Sequence, residues 1–359
     1  MRITIVGGGN IGTQFAVHCS EKGHDVTVFT SNPNLFSEKL IIVDENNVAT
    51  HEGRIRIATS DAEVAFRNAE MIIVTFPASA MNDIAKLIFN HTDKDAIIGV
   101  VPANGGSECA FKKSIERGNP FWGLERVPAI ARLVKKGECV RSVGYRKELH
   151  LAALPNAKAT ELAKIVEDIF DINTTVIPGY LNLTLTPSNP ILHTTRLKTI
   201  FSGWEKGVYY SKLPLFYEDW DDDSSALLIA CDEEVQNICV ALPDFNLRYV
   251  RSLKEHYESP TIQDMTRKIS SITAFKGLET PAVHLKEGLV PDLHSRYFTA
   301  DFSFGLTIIK QVADLAGVET PNIDETMKWY KRIAVEKAEF HFRDYGLEDI
   351  ESFRRFYLQ

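Results

Sequence analysis

Hydrophobic and polar positions switch between two periods in the first half of the chain and settle on one in the second. Arg2 to Val6 is a short apolar run, Ile11 to Lys22 carries Ile11, Phe15 and Cys19 at helical spacing, and Asp25 to Phe29 is strand-like again. Ser60-Asp61-Ala62-Glu63 has the form of a capping box before a short helix. Met71 to Phe76 reads as a buried strand, Met81 to Phe89 as a helix and Ala96 to Val101 as a further strand. Strands that alternate with helices build a parallel sheet. The alternation stops near Ile177-Pro178-Gly179, and longer stretches of apolar periodicity follow, including Ala226 to Ala241 and Phe304 to Ala316. The pattern predicts an α/β parallel-sheet domain over residues 1–178 and a mainly α-helical domain over residues 179–359.

A length of 359 residues agrees with two domains, each able to bury its own core. The chain is 44% hydrophobic and 25% charged, an ordinary globular mixture, and its net charge of −8 argues against nucleic acid or an anionic membrane as partner. Five scattered cysteines without a Cys-x-x-Cys pair fit a reducing compartment and point to no metal site. No run reaches membrane-spanning length and no signal peptide opens the chain, so the expected location is the cytoplasm. The acidic run Asp219 to Asp223, broken by Trp220, matches no calcium loop and reads as a solvated loop in which Asp223 or Ser224 caps the next helix. The basic stretch with Arg126, Arg132, Lys135, Lys136 and Arg141 reads as an element with one wet face.

The most specific motif is Gly7-Gly8-Gly9-Asn10-Ile11-Gly12, directly after a strand and at the opening of a helix. Gly7 permits the tight turn, Gly9 lets the backbone approach a pyrophosphate, and Gly12 lets helix and strand pack. The amides of the helix start, at Asn10 and Ile11, face the anion. This is a Rossmann-type dinucleotide site. At the end of the second strand, where a carboxylate would hold the ribose hydroxyls of NAD, the chain has Thr30 and Ser31. Loss of that carboxylate tilts the expectation towards NADP over NAD, with both open.

In the second half, Asn189 suits an N-cap and Pro190 a first helical position, which sets His193 in the first turn of a helix. A helix N-terminus opposes positive charge on that imidazole, and a carboxylate contact would counter it. Downstream, Arg296 and Asp301 are five residues apart, so Arg296 is expected in an approach segment and Asp301 at a helix start. Each has a plain structural alternative: a core histidine, a surface ion-pair arginine, and an aspartate that only caps the helix through Phe304 and Ile308.

Pro187-Ser188-Asn189-Pro190-Ile191-Leu192-His193 and Arg296-Tyr297-Phe298-Thr299-Ala300-Asp301 resemble the two signatures of the octopine and nopaline dehydrogenases, the opine dehydrogenase family. The resemblance extends to the glycine fingerprint, Pro102-Ala103-Asn104-Gly105-Gly106, Ala230-Cys231-Asp232-Glu233-Glu234 and Gly317-Val318-Glu319-Thr320-Pro321. It departs from the family at Ala300, at Phe302-Ser303 and at Thr194, which bears on substrate choice more than on chemistry.

The resemblance implies reductive condensation of an amino acid with an α-keto acid such as pyruvate, through an imine reduced by NAD(P)H. His193 would be the acid–base, Asp301 its carboxylate partner, and Arg296 the fork that holds the keto-acid carboxylate. Glu125 is a candidate to receive the substrate amine. The active site is expected in the cleft between the domains, with the helical domain as the pairing surface of a homodimer. Two other readings stay open: a simple keto-acid reductase similar to ketopantoate reductase, and a dinucleotide-binding sensor without catalysis.

Overall fold

Isoleucine, threonine and valine fill Arg2–Val6, and the last four of these residues are buried, as expected of a strand covered on both faces. Around it an eight-stranded sheet runs in the order Asn173–Val176, Glu148–Leu154, Phe121–Leu124, Ile97–Val100, Met71–Val74, Arg2–Val6, Asp25–Phe29, Ile57–Thr59. All neighbours pair in parallel except Phe121–Leu124 with Glu148–Leu154, which are antiparallel. The computed structural model describes residues 1–103, 105–186, 188–334 and 339–359. Asn104 and Pro187, quoted in the motifs above, lie outside the described residues.

A second sheet, in the order Ala49–Arg54, Lys39–Val43, Cys139–Val143, Ile130–Lys135, was not foreseen. Its edge strand Ala-Thr-His-Glu-Gly-Arg is mostly wet, so no apolar alternation announces it; pairing with Lys39–Val43 makes it a strand. The basic stretch supplies the other two strands of this sheet. Helix Asn10–Glu21 packs on strands of both sheets, and every residue from Gly12 to Cys19 is buried. Of its buried polar groups, Gln14 Nε2 donates to Ser142 Oγ at 2.9 Å. The helix after Ser60 starts one residue later than a capping box requires: Asp61 is the cap and accepts from the amides of Glu63 and Val64.

These elements, Met1–Leu183 with the terminal Arg355–Gln359, form one compact unit, and Thr184–Arg354 form the other. The terminal segment is held by the Tyr357 hydroxyl, which donates to buried Glu108 at 2.5 Å.

The second unit is mainly helical, with one hairpin, Ala282–Leu285 and Gly288–Pro291. Helix Asp222–Ala241 packs against Ser188–Phe201, Ile262–Ser271, Thr307–Ala316 and Pro321–Ile333. The buried carboxylate of Glu234 accepts from the amides of Asn322 and Ile323, at 2.7 and 2.9 Å, where it meets the positive end of helix Pro321–Ile333. Phe302 stacks on Tyr330 with ring centroids 4.1 Å apart, in the core behind the segment that carries Asp301. Among the described residues no helix is long and apolar enough to cross a membrane.

Candidate active site

Helix Ser188–Phe201 begins before Asn189, so Pro190 is its third residue and His193 its sixth. The expected placement of His193 in the first turn is therefore corrected to the second, and the helix N-terminus acts on the imidazole from further away than expected. What lies beside the ring is a carboxylate. His193 Nδ1 is 2.7 Å from Asp301 Oδ2, and the histidine is only 5% exposed.

Asp301 reaches this position through an irregular turn. It precedes a π-helical segment, Phe302–Leu306, that runs into helix Thr307–Ala316. Gly305 lets this segment approach helix Ser188–Phe201, since a Cβ there would stand 2.9 Å from Pro190. Asp301 holds the N-cap position but its side chain caps nothing, so the carboxylate serves the imidazole. Accepting at Oδ2 fixes the proton on Nδ1 and leaves the lone pair on Nε2.

That second nitrogen meets the Tyr217 hydroxyl at 2.8 Å. Tyr217 is buried and stacks on Phe275 at 4.3 Å. Burial, and then the neighbouring Tyr297, push its phenol pKa well up, so the hydroxyl stays protonated and donates. Sequence reasoning missed Tyr217. The signal was there, in the aromatic cluster Phe216, Tyr217 and Trp220 beside the acidic run. The run is also more than a solvated loop. Asp221, not Asp223 or Ser224, caps helix Asp222–Ala241, and its other oxygen accepts from Arg196 Nη1 at 2.7 Å. Arg196 is fully buried and also donates to Ser224 Oγ and to the carbonyls of Phe216 and Asp219. One guanidinium thus pins the loop that presents Tyr217.

Arg296 opens the short helix Arg296–Thr299 instead of preceding it, and it is exposed. Its guanidinium carbon lies 5.6 Å from the Tyr297 ring centroid, and no ion pair engages it among the described residues. The Tyr297 ring lies against His193, with centroids 4.2 Å apart. The second unit therefore gathers an imidazole, its carboxylate, a phenol and an uncommitted guanidinium, a set able to hold a carboxylate ligand and move a proton beside it.

The first unit carries the nucleotide cradle. Gly7 has φ +118°, and a Cβ on Gly12 would stand 1.7 Å from the Gly7 carbonyl oxygen. A Cβ on Gly9 would enter open space, the room a pyrophosphate requires at this position. The amides of Asn10 and Ile11 open the helix, while the Asn10 side chain is committed to the amide of Leu133 at 2.7 Å. The residues present fit a dinucleotide. At the end of the second strand Thr30 is buried and Ser31 is exposed, so Ser31 is the more accessible of the two.

Glu125, the candidate to receive the substrate amine, is already engaged by neighbours. Its carboxylate meets His150 Nδ1 at 2.7 Å and Arg126 Nε at 3.2 Å, so both oxygens are engaged. Burial pushes its pKa up, but the hydrogen bond from His150 and the charge of Arg126 outweigh this and hold it down to about 2.

Residues 176–334 match the family model of the NAD/NADP octopine/nopaline dehydrogenase alpha-helical domain, and residues 2–108 match that of the NAD-dependent glycerol-3-phosphate dehydrogenase N-terminus. Octopine dehydrogenase of Mizuhopecten yessoensis is 25% identical over 92% of this chain and 89% of its own length. Tauropine dehydrogenase of Arabella iricolor is 22% identical over 92% and 91%. The fold is also that of an octopine dehydrogenase solved with NADH and L-arginine, with a TM-score of 0.86, 22% identity and coverage of 98% and 97% of the two chains. The second unit thus carries the octopine/nopaline dehydrogenase helical domain, and the relatives that this chain resembles over nearly its whole length are opine dehydrogenases, NAD(P)-dependent oxidoreductases acting on CH–NH donors.

Proposed function

We propose that the protein condenses an amino acid with an α-keto acid, such as pyruvate, and reduces the product to a secondary amine dicarboxylate. The observation that carries this reading is His193 held between Asp301 and Tyr217, with the Arg296 guanidinium, free of ion pairs among the described residues, over the Tyr297 ring that lies against His193. The amine adds to the keto carbon, the carbinolamine loses its oxygen as water, and the imine carbon accepts a hydride. Bound NAD(P)H supplies that hydride.

Arg296 takes the keto-acid carboxylate through two parallel N–H···O bonds, which fixes the direction of the carbonyl. His193 takes the proton that the adding amine releases and passes it to the carbinolamine oxygen so that water can leave, and Asp301 stabilises the transient imidazolium while keeping the ring in one tautomer. The Tyr217 hydroxyl keeps its own proton and, by its hydrogen bond at Nε2, holds the ring in place. The missing carboxylate after strand Asp25–Phe29, with exposed Ser31 in its place, supports NADP as the preferred cofactor.

The test is coenzyme oxidation by the purified protein with pyruvate alone and then with a panel of amino acids, using NADPH and NADH in turn. Turnover that requires the amine supports the proposal. Equal rates with and without amine make the protein a simple keto-acid reductase.

A further inference from the structure

His18, Glu21 and His51 lie in the first unit and take no part in the chemistry above. Each offers a ligating atom within 4.8 Å of the other two. His18 and Glu21 share one face of helix Asn10–Glu21 at i,i+3 spacing, and His51 comes from strand Ala49–Arg54. Helix and strand touch closely here, since a Cβ on Gly53 would lie 2.0 Å from Ser20 Oγ. The two imidazole rings are 4.7 Å apart, and His51 Nδ1 lies 2.8 Å from Glu21 Oε2.

We propose that His18, Glu21 and His51 bind a divalent transition-metal ion of the zinc class, clipping the first helix to the edge of the small sheet. Two imidazoles and a carboxylate are the donor set of zinc, cobalt and nickel, whereas magnesium and calcium prefer all-oxygen shells. An ion pair between Glu21 and His51 accounts for those two side chains but not for a buried imidazole placed against a second imidazole. His18 is 3% exposed, and its Nε2 is hydrogen-bonded to the Tyr145 hydroxyl at 3.0 Å, the kind of outer contact that orients a metal-binding ring.

With metal–nitrogen bonds of about 2.0–2.1 Å, ligand atoms around one ion stand at most about 4 Å apart. The cluster must therefore tighten slightly. Glu21 and His51, whose side chains are 36% and 34% exposed, can do so by rotation while His18 stays fixed. The exposed side leaves room for water to complete a tetrahedron.

The test uses the full chain stripped with EDTA, titrated with Zn²⁺ during thermal unfolding and with Co²⁺ under visible absorption. His51→Ala and Glu21→Gln are the variants, and unchanged NAD(P)H binding certifies their fold. The proposal expects one equivalent of Co²⁺ with a visible ligand-field band, and a Tm rise of about 2–4 °C once free Zn²⁺ exceeds its Kd roughly tenfold. Both effects weaken at least about tenfold in each variant. Absence of the band and the Tm rise in the wild type overturns the site, as does either variant keeping wild-type affinity.

Discussion

The Nδ1 atom of His193 and the carboxylate of Asp301 stand 2.7 Å apart although 108 residues separate them in the chain. Either residue alone admits a structural explanation, a core histidine or a helix cap. Their pairing, with the Asp301 side chain withheld from its own helix start, is the arrangement of an oriented base. Loss of the base should lower kcat by about 10²–10⁴-fold in His193→Ala. Asp301→Asn should lower it by at least about tenfold through loss of the fixed tautomer. NAD(P)H binding, followed by fluorescence titration, should stay unchanged in both variants. Full activity in His193→Ala would remove the imidazole from the mechanism.

Arg296→Lys keeps the charge and removes the planar fork. The expected result is a KM for the keto acid raised by about tenfold or more, with a smaller effect on kcat, because a point charge holds a carboxylate without fixing its plane. Steady-state kinetics with varied keto acid at saturating amine reads this directly. An unchanged KM would place the keto-acid carboxylate elsewhere.

Arg196 is a fully buried charge of the second unit, and its partners Asp221, Ser224 and two carbonyls lose their donor in Arg196→Met. Breaking such a network costs about 3–5 kcal/mol, and the lower end is expected because the Asp221 side chain is 55% exposed and water relieves part of its charge. Urea unfolding measures the loss. Since the same guanidinium holds the Phe216 to Asp219 loop, kcat should fall together with stability.

Glu125 sets a pH dependence. Its carboxyl is held at about 2 in the folded chain against an ordinary 4.5, so its ionised form favours folding. That contribution is complete above the unfolded value and fades as pH falls through the acid range towards the folded value. Glu125→Gln should therefore be less stable than wild type near neutral pH. The gap should narrow as urea midpoints are followed into acid, and a gap constant with pH would contradict the pairing with His150 and Arg126.

Two glycines of the fingerprint should separate folding from binding. Gly12→Ala forces a Cβ onto the Gly7 carbonyl and should destabilise the first unit by about 1–3 kcal/mol or more. Gly9→Ala meets only open space and should unfold with the wild type, yet bind NAD(P)H at least about tenfold more weakly because the methyl occupies the pyrophosphate's room. Normal coenzyme affinity in Gly9→Ala would move the cradle elsewhere.

The central strands were legible because burial on both faces demands unbroken apolar runs, as in Met71–Val74. The glycine fingerprint was legible for a similar reason, since close backbone approach tolerates no side chain at Gly12. Strand Ala49–Arg54 was not, because most of its side chains face water and its conformation comes from pairing with a neighbour. Tyr217 was hidden in the same way. The aromatic cluster around it marked the segment but not its partner; only the loop pinned by Arg196 brings its hydroxyl to His193.

By itself the amino-acid order determined the two kinds of domain, the nucleotide-binding turn and the residue types of a proton-transfer site, because periodicity and glycine sterics act over a few neighbouring residues. Which phenol faces the imidazole, and that Glu125 is already paired with His150 and Arg126, were decided by the folded chain alone. Those relations depend on distances of about 3 Å between residues far apart in sequence, and such distances exist only after the helices have packed.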